Sequence, residues 1–414
     1  METRKNKLFL GGMSAEELVR EFGSPLYVYE EDMIRQRFDD LDKNITYPDK
    51  KIYYACKANT NPAIMRIVLE KGGCIDAVSP YEAEMALRVG FSPDRILFTG
   101  DNATDEDLQF CIKRKIMVNL GSLSQIERYG RLCRNSNISI RINPDVGAGH
   151  HGHCITGGPD SKFGIYFDRV DEIRKTAAKY GLGIAGIHSH IGSGILDTAI
   201  FKKAMNMVLD AAKGFSNLEF VDFGGGIGVP YRPDERPMDI RRFGREISAL
   251  FEDFCRQYGK QLMMIIEPGR YIVAEAGFLL VTTNNRKHTP KHTFIGTDSG
   301  FNHLIRPTMY GSYHDIINAS NVEGEKEKVV IAGNICESGD VFTRNEDGPE
   351  DRQIARITEG DVLAICNAGA YGFSMSSNYN TRPRPAEVIV SNGKARIIRR
   401  RETFEDITRT AVMD

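Results

Sequence analysis

The chain has 414 residues, 41% hydrophobic and 27% charged, with a formal net charge of −2. This composition excludes intrinsic disorder and suits two folded domains. With no basic stripe, neither nucleic acid nor a membrane surface is expected as a main partner.

Met1–Leu10 is charged, lacks a long apolar core, and does not read as a signal peptide. No apolar stretch is long enough to span a bilayer. The eight cysteines show no CxxC spacing and read as reduced thiols of a cytoplasmic protein, neither a disulfide framework nor a zinc site.

From about residue 50 to 270, short apolar runs alternate with helix-like segments. The predicted strands are Lys51–Cys56, Cys74–Val78, Ile96–Thr99, Ile116–Leu120, Ile138–Asn143, Ile184–His190, Glu219–Phe223 and Met263–Glu267. Between them lie helical patterns such as Asn61–Glu70, Tyr81–Val89, Asp105–Arg114 and Phe201–Lys213. Eight such alternations predict an α/β protein with a TIM-like (β/α)8 barrel; periodicity alone leaves a doubly wound open sheet as the rival.

Lys57, Asp76, Arg141, His190, the Gly224-Gly225-Gly226 run and Glu267 all fall at C-terminal strand ends. In a barrel those ends converge on one mouth, where active sites form.

Beyond Gly277 the texture becomes mainly β. Phe278–Thr283, Lys328–Ala332, Asp361–Cys366, Glu387–Ser391 and Ala395–Arg400 read as strands, and Pro25–Tyr29 offers one more. The expected division is a barrel over 32–275 and a mainly antiparallel, sandwich- or barrel-like β domain from 1–31 plus 276–414. The run Arg399-Arg400-Arg401 adjoins acidic residues and reads as a solvated strand end.

Lys57 ends an apolar strand, where an ammonium is costly unless paired or neutralised. Burial favours a neutral amine able to form an imine with an aldehyde cofactor; a snorkelling surface lysine is the plain alternative.

In His188-Ser189-His190-Ile191-Gly192-Ser193 the two histidines share a strand face. An imidazole there could stack on a cofactor ring, and Ser193 could bind phosphate. A metal site would need a third ligand, and the nearest histidines, His150, His151 and His153, sit in a glycine-rich loop that reads as a mobile cover; no metal is expected. Gly224-Gly225-Gly226 is an anion cradle or simply a tight turn. Glu267, followed by Pro268-Gly269-Arg270, could keep a pyridine nitrogen protonated or pair with Arg270. Cys336-Glu337 places a thiol beside a carboxylate, suited to acid–base work or to a plain turn.

In chain order, YACKAN, HSHIGS, FGGGIG, EPGR, Arg306-Pro307-x-x-Tyr310, CESGD and NAGAYG resemble the fold type III pyridoxal-phosphate decarboxylases, and within them the diaminopimelate-cleaving group. The resemblance runs over nearly the whole chain. It implies pyridoxal 5'-phosphate as cofactor, with Lys57 as the Schiff-base lysine, His190 on the ring face with Asp76 nearby, and Glu267 at the ring nitrogen. Ser193, Gly225, Gly226, Gly269 and Arg270 would hold the phosphate, with Tyr371 assisting. Arg270, Arg306 and Tyr310 would bind the far carboxylate of the substrate, Glu337 its amino group, with Tyr371 beside them. Cys336 would give a proton after CO2 leaves.

The same resemblance implies a homodimer with active sites shared across the interface. The expected reaction is decarboxylation of meso-2,6-diaminopimelate to L-lysine. Lysine or ornithine decarboxylation and a non-catalytic pyridoxal-binding protein are the alternatives. Glu337, where ornithine-type members are expected to carry aspartate, favours the diaminopimelate group. The loop Gly147–Gly158 is richer in histidine and glycine than the family pattern, which leaves its part in lid behaviour and fine substrate preference open.

Overall fold

The computed structural model describes residues 1–145, 148–149, 156–345 and 347–412, so His150, His151 and His153 and most of their loop lie outside the described residues. The chain divides into two compact units: Arg35–Val229 with Arg236–Ile272, and Met1–Ile34 with Pro230–Glu235 and Val273–Asp414.

The first unit is a closed parallel barrel. Its strands are β1 (Lys50–Ala55), β2 (Cys74–Ala77), β3 (Ile96–Phe98), β4 (Met117–Leu120), β5 (Asn137–Asn143), β6 (Gly183–His188), β7 (Phe220–Asp222) and β8 (Met263–Ile266). Each pairs in parallel with the next, and closure comes from β8 on β1, with Met264 opposite Lys50 and Ile266 opposite Ile52. Closure decides against the open-sheet rival.

The turns leaving the strands carry the helix starts. Asn61, Ser79, Thr104 and Ser122 each accept a backbone N–H at the head of α1 (Pro62–Glu70), α2 (Pro80–Val89), α3 (Asp105–Arg114) and α4 (Leu123–Leu132). Such a cap is worth about 1 kcal/mol, and it sets where the chain turns back along the barrel.

Strand alternation fills the interior in layers. Tyr53, Cys74, Leu97, Ala185, Phe220 and Ile265 form a buried apolar cluster across the strands. Phe220 owes its place to Gly186: a Cβ there would stand 2.1 Å from its ring. Toward the C-terminal strand ends come Asp76, Thr99, Asn119, Arg141, His188, Asp222 and Glu267, all buried; Asp76, Thr99, Asp222 and Glu267 lie two residues past Cys74, Leu97, Phe220 and Ile265, on the same face. The barrel is thus apolar below and polar at its C-terminal end.

In the second unit the long strand Gly277–His288 pairs antiparallel with Leu26–Glu30, Val362–Ile365 and Thr293–Thr297. Ala386–Ser391 joins Leu26–Glu30 in parallel and turns back into Lys394–Arg399. One apolar face runs through Leu26, Val28, Phe278, Leu280, Val362, Ala364, Val388 and Val390. Leu8 and Leu10 belong to this core. The charged opening segment therefore contributes strand residues, Lys7–Leu10, that its composition did not announce. Among the described residues, no helix is long and apolar enough to cross a membrane.

Candidate active site

Lys57, Thr99, Arg141, His188, His190 and Glu267 line a cavity of about 240 Å3 at the C-terminal end of the barrel. Each is delivered by the end of a strand or the turn after it.

Lys57 follows β1 in a single helical turn, Cys56–Ala58, and its Nζ lies 3.0 Å from Asp76 Oδ2. Burial pushes the Asp76 carboxyl up, Glu267 adds to that, and Lys57 pulls it back.

His188 and His190 separate in role. His188 Nε2 lies 3.1 Å from Glu267 Oε2 inside the barrel. His190 Nδ1 accepts the Gly225 N–H at 3.1 Å. Burial first, then Lys57 and Arg141, hold His190 well below the usual histidine range. It is therefore a neutral imidazole, uncharged and flat, with its remaining N–H on Nε2.

Glu267 goes the other way. Burial alone would raise its carboxyl, but His188 first and then Lys57 bring it down to about 2. It is an anion wholly inside the barrel. Arg141 is buried with its guanidinium 4.3 Å from the Phe163 ring; burial lowers its pKa, against the pull of Glu267 and Asp101.

The glycine run is required by space as well as by dihedral angle. Gly224 and Gly226 take φ +66° and +110°, and a Cβ on Gly225 would stand 2.1 Å from the Glu267 carbonyl oxygen. Ser193 Oγ accepts from both Nε (3.1 Å) and Nη2 (2.9 Å) of Arg270. Gly269 packs its Cα where a Cβ would lie 3.0 Å from the Ala55 carbonyl oxygen.

The remaining sequence-predicted residues belong to the β unit. Arg306 and Tyr310 lie one helical turn apart in Arg306–Tyr310. Arg306 is 1% exposed and donates to Ser312 Oγ at 3.2 Å and His314 Nε2 at 3.4 Å. The rings of Tyr231 and Tyr310 flank its guanidinium at 5.2 and 5.8 Å. Cys336 and Glu337 are exposed on a turn pinned by Asp340, which accepts the Ile335 and Phe301 N–H groups. Tyr371 is half-buried at φ +57°.

The polar layer tests whether a pyridoxal group fits. Among the described residues, Asp76 Oδ1, Arg141 Nη2, His188 Nδ1 and Glu267 Oε1 are buried without a hydrogen-bond partner. Leaving buried polar atoms unmade costs about 1–3 kcal/mol each, so the layer calls for a polar occupant or water. An anionic acceptor in Glu267, an amine in Lys57, a flat neutral ring in His190 and a glycine turn that admits no Cβ fit the ring nitrogen, aldehyde, ring face and phosphate of such a group.

Sequence reasoning did not single out Asp222, Thr99 or Asn119 of this layer. The signal was present: each lies two residues past an apolar strand residue, on the inward face.

The family description "Pyridoxal-dependent decarboxylase, pyridoxal binding domain" matches residues 31–274. The chain is 49% identical to the diaminopimelate decarboxylase of Methanothermobacter thermautotrophicus, covering 98% of this chain and 95% of that protein. It is 36% identical to the diaminopimelate decarboxylase of Escherichia coli K12, covering 95% and 96%. A crystal structure of diaminopimelate decarboxylase from Helicobacter pylori complexed with L-lysine superposes with a TM-score of 0.87 at 33% identity, covering 95% of this chain and 98% of that one. On this similarity along nearly its whole length, the chain belongs to the diaminopimelate decarboxylase family of pyridoxal-dependent decarboxylases.

Proposed function

We propose that the protein decarboxylates meso-2,6-diaminopimelate to L-lysine and CO2, with pyridoxal 5'-phosphate as cofactor. The observation that carries this reading is the buried Glu267 anion sharing one cavity with Lys57 and the neutral His190. The cofactor, when bound, supplies an aldehyde for the substrate amine and a ring that accepts the electron pair left by departing CO2.

The chain's own residues do the rest. Lys57 offers its Nζ to the aldehyde carbon and carries protons there, with Asp76 as its counter-charge. Glu267 keeps a proton on the ring nitrogen, which raises the pull on the electron pair. His190 covers one ring face without adding charge. Ser193, Gly225, Gly226, Gly269 and Arg270 are assigned to the phosphate, with Tyr371.

Recognition of the far end of the substrate is assigned to the β unit. Arg306 and Tyr310 take the carboxylate and Glu337 the amine, with Arg270 and Tyr371 assisting. A guanidinium fork pairs a carboxylate bidentately, and a substrate without that carboxylate leaves it unpaired. Cys336 delivers a proton to the substrate Cα. The exposed Cys336 and Glu337 support a homodimer in which this turn serves the partner's site. The division of labour follows the segments 32–275 for the cofactor and 1–31 with 276–414 for recognition. Free cysteines at all seven described positions support a cytoplasmic setting.

The test is CO2 release by purified protein with added cofactor, offered meso-diaminopimelate, L-lysine and L-ornithine separately. Release from diaminopimelate alone is expected. Equal release from lysine or ornithine overturns the substrate assignment, and absence of a cofactor band overturns the cofactor assignment.

A further inference from the structure

One buried acid has no part in the reaction just described. Asp222 ends β7 and is fully buried. Its Oδ1 accepts the Gly224 N–H at 2.8 Å, the first amide of the glycine turn, while its Oδ2 meets no donor among the described residues. A carboxyl oxygen of Asp222, one of Glu267 and a ring nitrogen of His188 lie within 4.8 Å of one another. They come from the ends of β7, β8 and β6, adjacent barrel strands.

Two carboxyls this close in a buried layer resist ionising together, which favours a proton on one of them. The charges around them say which. Glu267 has His188 and Lys57 to hold it ionised, whereas burial and the Glu267 charge push Asp222 well above the usual carboxylate range. Asp222 Oδ2 and Glu267 Oε1 are both buried acceptors without a partner among the described residues, and a proton on Asp222 adds a donor to a layer that is short of one.

We propose that Asp222 is a positioning residue of the cofactor site, a neutral carboxylic acid that donates to Glu267 while accepting from Gly224. One side chain then ties the partner of the ring nitrogen to the turn assigned to the phosphate. His188 Nε2, 3.1 Å from Glu267 Oε2, is a second hold on the same carboxylate. The inference rests on the cofactor reading above.

Asparagine and alanine separate a neutral donor from an ionised acid. Asp222→Asn keeps an acceptor for Gly224 and an N–H donor for Glu267; Asp222→Ala keeps neither. The full-length wild type and both variants are titrated with pyridoxal phosphate, following the visible band of the bound cofactor, with melting temperatures alongside. The Asn variant is expected to lose no more than about threefold in cofactor affinity and the Ala variant about tenfold or more, the scale of an unmade buried hydrogen bond. The infrared difference between wild type and the Asn variant, each without cofactor, should show the stretch of a protonated carboxyl.

Asn losing as much as Ala, with unchanged melting, overturns the proposal, because the site then needs a charge at Asp222. A carboxylate stretch in place of the protonated one does the same. If Ala does not fold, the Asn and infrared arms decide. If wild type takes up no cofactor, the cofactor reading fails, and the infrared arm still tests the proton.

Discussion

Lys57 Nζ stands 3.0 Å from Asp76 Oδ2, and the partners are unequal: the lysine side chain is 32% exposed and the aspartate 0%. The carboxylate belongs to the barrel interior and the ammonium reaches it from the mouth. A bridge of this kind is weak grounds for stability, since desolvating the carboxylate offsets most of the attraction. It holds the amine at the edge of the cavity, where an aldehyde could reach it.

Replacing that amine tests the assignment directly. Lys57→Ala should abolish the absorbance band of the bound cofactor and lower CO2 release by at least about 10³-fold, within the range seen on removing a proton-transferring group. A visible spectrum and a decarboxylation assay settle it; a variant that keeps both leaves Lys57 a structural lysine.

Glu267→Gln removes the charge and keeps the shape. Cofactor should still bind, while kcat falls about 10²–10³-fold, as on loss of one preorganised electrostatic contact. Unchanged kcat would mean that the ring nitrogen has another partner.

Gly225→Ala acts through space alone. Its Cβ would fall 2.1 Å from the Glu267 carbonyl oxygen, which is backbone and cannot swing aside. Both the glycine turn and Glu267 must then shift. Cofactor affinity, read by equilibrium titration, should drop about tenfold or more, the cost of misplacing even one hydrogen bond of about 1.4 kcal/mol. Wild-type affinity would show that the turn is not part of the cradle.

Arg306→Lys keeps the charge and loses the fork. KM for diaminopimelate should rise about 10–100-fold with a smaller change in kcat, and preference over L-lysine should narrow. A change in kcat alone would place Arg306 outside substrate recognition.

His303 gives a prediction about stability. It is buried between Ser299 Oγ, 2.9 Å from Nδ1, and the Pro383 carbonyl, 3.2 Å from Nε2. Burial, with Arg401 and Arg382 adding to it, lowers its pKa to about 4. Between pH 6.5 and 4 the unfolded chain binds the proton that the folded one refuses, so stability rises with pH across that window and is lost on acidification. The full effect is bounded by about 3 to 4 kcal/mol, from about 1.4 kcal/mol per pH unit. Urea midpoints at pH 7 and pH 5 should differ less in His303→Gln than in wild type. Equal pH dependence in the two proteins would clear His303.

The alternation of strand and helix was legible because barrel strands are short and apolar and their helices are capped at Asn61, Ser79, Thr104 and Ser122. Lys57 and Glu267 stood out for a related reason. A charge ending an apolar strand is anomalous in the chain itself, before any neighbour is known.

The opening segment joins the core through alternate residues: Leu8 and Leu10 are buried, while Phe9 between them is half-buried. Residues 230–235 lie inside the predicted barrel span but cluster with the β unit, with the Tyr231 ring against Arg306. Nothing local marks that, because the partner is far along the chain.

By itself, then, the sequence determined the order of elements, the inward alternation along each strand and the strand-end residues Lys57, Asp76, His190 and Glu267. The tertiary structure decided which strand ends became neighbours. His188, Asp222 and Glu267 are far apart in sequence and share no motif; barrel closure sets them side by side in a buried layer, where two acids resist ionising together. Charge state in a buried layer depends on distances between strands, and those exist only once the barrel has closed.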